Sequence, residues 1–247
     1  MTTEEQLQLA MQRARGRLRE GIGTQSERLV HSTLKYYLEP DESRHEIKIG
    51  HFVADIFKRD TGQIFEIQTR SFDRLRAKLT AWLPEYPVVV IHPIVQTKYL
   101  CWVHPETGEV VSRRKSPRQG RPVDILREIY RLPELQNHPN LSFMALMFNA
   151  EEYRLLDGYS RDHKKGSHRM ERLPLSIEEQ IWIRSAGDFA ALLPVLPTEF
   201  TRKELASAAR LSPQAVSYAV KVWERAGSIE KSGRRGRQYV YQRGNHV

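Results

Sequence analysis

Asp55 stands inside the apolar stretch Phe52-Val53-Ala54-Asp55-Ile56-Phe57, where a charge is unfavourable unless something pairs with it. After a turn at Thr61-Gly62 comes a second stretch, carrying Glu66-Ile67-Gln68. Strand alternation puts Phe65, Ile67 and Thr69 on one face and Glu66, Gln68 and Arg70 on the other. Paired as a hairpin, the two stretches bring Asp55 and Glu66 to the same end. Carboxylates held that close repel, so the pair calls for a cation between them, and hard oxygen ligands point to Mg2+ or Mn2+. Taken alone, Asp55 also fits a hairpin-end aspartate that meets a lysine.

The elements that would position these residues follow from periodicity. Leu7, Ala10, Met11, Ala14 and Leu18 fall on one helical face, and Gly21-Ile22-Gly23 breaks that helix. A second helix is expected over 24–38, ahead of Glu39-Pro40. Extended stretches at 46–49 and 51–58 hinge at Gly50, a third strand covers 63–70, and 71–83 is helical with Phe72, Leu75 and Leu79 on one face. Residues 87–95 form an almost continuous apolar run, as in a strand buried on both faces.

This order of helix, three strands, helix and strand, with Asp55 and Glu66-x-Gln68 in place, resembles the PD-(D/E)xK nuclease superfamily, with its Holliday junction resolvases and restriction endonucleases. The resemblance covers about residues 20–95. It implies a restriction-endonuclease-like mixed α/β sheet flanked by helices. Asp55 and Glu66 would hold Mg2+ or Mn2+, the Ile67 carbonyl would complete the ligands, and Glu27 would supply an outer carboxylate from the helix; Ser26 also fits the resolvase arrangement. The superfamily normally has lysine where this chain has Gln68, though some of its restriction enzymes use glutamine there; glutamine can orient a water but brings no charge. Arg70 or Lys48 would then supply the positive charge. The alternative is a degenerate nuclease-like domain in a DNA-binding regulator. Enzymes of the superfamily often dimerise to cut both strands, so a homodimer is the expectation that the resemblance carries.

A second module closes the chain. Residues 201–247 hold ten Lys/Arg and three Asp/Glu, an excess of seven out of a net +9. Thr201 and Glu204 form a capping box, and Ser212-Pro213 starts a second helix that stops at Gly227. Two strands, 228–231 and 238–242, flank a loop from Ser232 to Arg237. Helix, tight turn, helix and basic hairpin resemble the winged helix-turn-helix family over residues 198–243. By that resemblance Ser212, Gln214, Ser217, Tyr218 and Lys221 face the major groove of DNA, and Arg234, Arg235 and Arg237 rest on phosphates. RNA binding stays open, since a basic surface does not separate the two polymers.

The expected layout is therefore a nuclease-like domain over 1–195, with an extension at 113–195, and a winged helix over 196–247. In the extension, 98–103 and 109–112 lead in as a hairpin, 112–121 is a basic loop, 123–130 a helix, 141–148 a strand, 151–156 a strand or short helical turn, 160–172 a polar, basic segment and 177–193 a connecting helix. The single cysteine, Cys101, excludes an internal disulfide and a cysteine-based zinc cluster. No phosphate-cradling glycine motif is present, so no nucleotide cofactor is expected. The nine histidines show no metal-type spacing, and His163 and His168 fall in a polar loop. No run approaches the length of a membrane span and no secretory leader is recognisable, which makes a reducing cytoplasm the expected compartment.

Overall fold

The apolar stretches of the first 184 residues assemble into one mixed sheet. The computed structural model describes residues 2–18, 25–157 and 168–244, with the backbone alone for 17, 18, 25–28, 168 and 169. The expected break at 21–23, the side chains of Ser26 and Glu27, His163 and most of the basic segment 160–172 lie outside the described residues.

Helices α1 (Thr3–Leu18) and α2 (Gln25–Leu38) precede an antiparallel meander of β1 (His45–Ile49), β2 (Phe52–Lys58) and β3 (Gln63–Ile67). A 3-10 turn at Phe72–Leu75 runs into α3 (Arg76–Trp82) and leads to β4 (Val88–Val103), which pairs with β3 in parallel. β5 (Val110–Lys115) folds back on the outer half of β4. A second crossover, through Pro122–Ile125 and α4 (Leu126–Ile129), delivers β6 (Leu141–Leu155) parallel to β4, and β7 (His168–Ile183) closes the sheet antiparallel to β6. The order is β1-β2-β3-β4-β6-β7, with β5 against β4.

Alternation along the central strands feeds two cores. Val89, Ile91, Phe65, Ile67, Met144 and Leu146 pack beneath Val30 and Leu34 of α2. Val88, Val90, Ile64, Phe143 and Ala145 pack on the other face, with Leu75, Leu79 and Trp82 of the crossover. α1 lies outside α2 and buries Leu7, Ala10 and Ala14 against Leu29, Tyr36 and Tyr37. The architecture is the expected mixed α/β sheet flanked by helices. Among the described residues no helix is long and apolar enough to cross a membrane.

The expected helix over 177–193 is corrected: β7 runs to Ile183, and only α5 (Ala186–Ala191) is helical. Glu178, Glu179 and Gln180 favour helix locally, but thirteen cross-strand pairs with β6 outweigh that preference. A bulge at Phe148↔Ile177 lets Ile177 and Trp182 reach one core while Ile181 and Ile183 reach the other, which obscures the strand period in the sequence. For the same reason 151–155 continues β6 rather than forming a turn of its own.

The chain ends in β8 (Glu199–Thr201), α6 (Arg202–Ala208), α7 (Pro213–Arg225), β9 (Ile229–Arg235) and β10 (Gln238–Arg243), with the strands ordered β8-β10-β9. The capping box is present: Glu204 N–H donates to Thr201 Oγ1 at 3.3 Å, and Thr201 N–H to Glu204 Oε2 at 2.6 Å. Ser212 caps α7 by accepting from Ala215 N at 3.2 Å, with Pro213 at the first helical position. The hairpin is tighter than expected. Arg235 pairs with Gln238, so Arg234 and Arg235 lie within β9 and only Gly236-Arg237 makes the turn.

This module is joined closely to the sheet. Phe189, Phe200, Leu205, Val216 and Trp223 share one continuous core with Val90 and Phe143. Gln136 and Asn137 donate to the carbonyls of Val222 and Arg225 at 2.9 and 2.7 Å. Arg121, at the end of the basic loop, donates to the carbonyls of Ala209 and Arg210 beyond α6. Gly120 sets its position, because a Cβ there would stand 2.5 Å from the Val95 carbonyl oxygen. Arg121→Ala removes the guanidinium that satisfies those two carbonyls. The expected loss is about 1–2 kcal/mol, seen in calorimetry as a melting temperature lower by roughly 2–6 °C.

Candidate active site

The β2–β3 ladder runs through Lys58↔Gln63, Phe57↔Ile64 and Ile56↔Phe65 and stops there. Asp55 and Glu66 are the next pair along that register. In place of ladder bonds, Asp55 Oδ2 accepts from Ile67 N–H at 2.8 Å, and Asp55 N–H donates to Glu66 Oε2 at 3.4 Å. The two acids meet where the strands part. His31 of α2 enters from one face of the sheet, with its Nε2 3.0 Å from Asp55 Oδ2. Lys78 of α3 enters from the other, donating to Glu66 Oε1 and, at 2.9 Å, to the Val53 carbonyl. Its ammonium lies 5.4 Å from the ring centre of Trp82, one helical turn on.

Burial and charge act unequally on the two acids. Glu66, only 6% exposed, is raised to about 7 by burial and by the neighbouring Asp55 charge, against the pull of Lys78. Burial would raise Asp55 as well, but the His31 contact, the Ile67 N–H and the Lys78 charge outweigh it and hold the carboxyl below its ordinary range. Elsewhere in the sheet Glu152 gives the contrast. It too is buried, yet Arg172, Arg154 and Lys98 surround it and bring it down to about 2. Glu152 is a neutralised structural acid. The Asp55–Glu66 pair is met by one lysine and by the His31 ring, which leave its two acids unequally compensated, and such a pair marks a site where a cation or a proton is wanted.

That imbalance has a pH signature. A carboxyl raised in the folded state favours folding below its unfolded pKa, and the contribution disappears as pH rises through about 7. The depressed Asp55 works the other way and loses its contribution only in stronger acid. In EDTA the protein is therefore expected to lose stability between about pH 5 and pH 8 more steeply than Glu66→Gln, as read by thermal melts of both. Parallel curves for the two proteins would refute the assignment.

The other expected residues are placed differently. Gln68 Nε2 donates to the Ser71 carbonyl at 2.8 Å, and the Gln68 carbonyl faces His92 Nδ1 at 2.8 Å. The amide NH2 thus closes the turn out of β3. Lys48 is exposed on β1 opposite Val53, and Arg70 is exposed beyond the end of β3. The cation on Glu66 is Lys78 rather than either of these. Glu27 lies four residues before His31 on α2, with its side chain outside the described residues. Among the described residues no group of three or more His, Cys, Asp or Glu side chains is arranged to hold a metal ion. The contacts of the Asp55 carboxylate among them fall on Oδ2, which leaves Oδ1 as a hard donor. That donor set fits a divalent ion.

Two signals for the missed residues were present. His31 stands one turn from Glu27, and Lys78 stands three residues after Leu75 and four before Trp82, at the border of the buried stripe of α3. In the C-terminal module, Ser212 and Gln214 are exposed, with Gln214 Nε2 donating to Tyr218 OH at 2.8 Å. Ser217 Oγ donates to the Pro213 carbonyl at 2.8 Å. Tyr218 and Lys221 face Tyr130, Arg234 donates to Tyr239 OH at 3.0 Å, Arg235 pairs with Glu204 at 3.3 Å, and Arg237 is exposed at the hairpin tip.

A family model described as "Domain of unknown function (DUF8091)" matches residues 28–184, which takes in His31, Asp55, Glu66, Lys78 and the whole large sheet. An "Uncharacterized protein" of Treponema pallidum (strain Nichols) is 31% identical over 223 residues, which covers 90% of this chain and 87% of that one. No solved structure matches.

Proposed function

This chain belongs to the DUF8091 family, and we propose that it is a metal-dependent DNA endonuclease of the PD-(D/E)xK kind whose C-terminal winged helix holds the DNA. The observation that carries the proposal is the meeting of Asp55 and Glu66 where β2 and β3 part, with Lys78 on Glu66 and His31 on Asp55. A bound Mg2+ or Mn2+ would lower the pKa of a water and screen the charge of the scissile phosphate. Asp55 and Glu66 would hold it, with the Ile67 carbonyl as a further ligand and Glu27 as an outer carboxylate. Lys78 takes the part the superfamily gives to the lysine at position 68: it supplies positive charge to the phosphate and fixes the Glu66 carboxylate. His31 orients Asp55 through Oδ2 and so leaves Oδ1 for the ion. The winged helix contributes binding alone.

One observation favours a second reading, a DNA-binding regulator with a silent nuclease-like domain: the Gln68 amide NH2 is engaged with the Ser71 carbonyl. Supercoiled, linear and branched DNA incubated with Mn2+ separates the two. Cutting by the wild type and none by Asp55→Asn supports the enzyme. Tight duplex binding with no cutting in any metal supports the regulator.

A further inference from the structure

The face of α7 that would enter a DNA groove is partly covered: Ser212, Gln214 and Lys221 are exposed, but Tyr218 in its middle is not free. Tyr218 stacks on Tyr130, just after α4, at 4.6 Å between ring centres. Lys221 and Arg225, on the same stripe of α7, lie 5.8 and 5.4 Å from that ring. The bonds from Gln136, Asn137 and Arg121 hold this arrangement at three further points. A major groove about 12 Å wide admits one helix, but not a helix with another element stacked on its reading face.

At about 100° per residue, Val216 points roughly 160° away from Tyr218 on α7. There it lines a cleft of about 450 Å3 between α6, the start of α7 and β10. Arg202, Lys203 and Arg237 stand around it, and Pro213, Val216 and Tyr239 complete the wall. No carboxylate lines it among the described residues. The module's nearby acids are turned elsewhere, Glu204 to Arg235 and Glu224 to Lys231. We propose that this cleft, and not the outer face of α7, seats the sugar-phosphate backbone of duplex DNA, a placement that rests on the DNA-directed reading above. Cations at the rim suit successive phosphates, and the apolar wall with its tyrosine ring suits the deoxyribose between them. Contacts of this kind give affinity and orientation without reading sequence.

The test is fluorescence anisotropy of the full chain in EDTA with a labelled duplex of about 20 base pairs. The combined variant Arg202→Ala, Lys203→Ala, Arg237→Ala is expected to bind at least about 30-fold more weakly, with the slope of log K against log salt reduced by about 2 to 3. Lys221→Ala and Gln214→Ala are expected to stay within about twofold of wild type. All three cleft side chains are exposed, so the combined variant should melt with the wild type, and circular dichroism checks this. Wild-type affinity in the combined variant, with loss in Lys221→Ala or Gln214→Ala, overturns the cleft and leaves the DNA reading standing. Absence of duplex binding by the wild type, or stronger binding of an RNA of equal length, overturns both.

Discussion

On the proposed nuclease reading, Asp55→Asn is expected to reduce Mn2+-dependent DNA cleavage by on the order of 1,000-fold or more, because it removes the proposed metal ligand without changing the shape of the site. Asparagine keeps an oxygen to accept the Ile67 N–H, now 2.8 Å from Oδ2, so the strand junction should hold. It loses the negative charge that a divalent ion needs and that His31 contacts at 3.0 Å. The effect on Glu66 makes the experiment more informative. The Asp55 charge is the second cause, after burial, that raises Glu66 to about 7, so in the variant Glu66 should ionise at lower pH. The variant should then be as stable as the wild type at about pH 8 in EDTA, or slightly more so, while failing to cut plasmid. Activity and stability moving in opposite directions are the mark of a functional acid pair. A variant that unfolds would instead make Asp55 a structural residue, and one that cuts at the wild-type rate would remove it from the reaction.

The convergence of Asp55 with Glu66 could be read from alternation and from one turn, because a hairpin is local and Thr61-Gly62 sets its register. The ends of α6 and α7 were legible for the same reason: Thr201, Glu204, Ser212 and Pro213 act on backbone groups within three residues of themselves. What escaped depends on distant partners. The strand at 177–183 exists because β6 lies beside it, and its own glutamates point to helix. Lys78 reaches Glu66 only because the crossover returns α3 over the sheet, a geometry that strand period alone does not express. The covering of Tyr218 by Tyr130 joins residues 88 positions apart, so a helix that matched a groove-reading pattern meets its own chain instead.

Lys78→Met tests where the positive charge of this site resides. Methionine retains the length and apolar stem that lie near Trp82, and it removes the bonds to Glu66 Oε1 and the Val53 carbonyl. Without the ammonium, Glu66 loses its cationic partner and Asp55 keeps only the His31 and Ile67 contacts, so the pair should hold a divalent ion at least as tightly as before, measured by calorimetric titration with Mn2+. The cleavage rate at saturating metal is nevertheless expected to fall by about 100- to 1,000-fold, since on the proposed reading Lys78 stabilises charge in the transition state. Gln68→Ala should change the rate by less than about tenfold, because its amide serves the turn at Ser71. If Gln68→Ala is silenced and Lys78→Met is not, the lysine on α3 is a structural partner of Glu66, and water is oriented from β3. If metal affinity falls with Lys78→Met, the lysine organises the ligands instead of the phosphate. Retained affinity with a lost rate is the one combination that places Lys78 at the scissile bond.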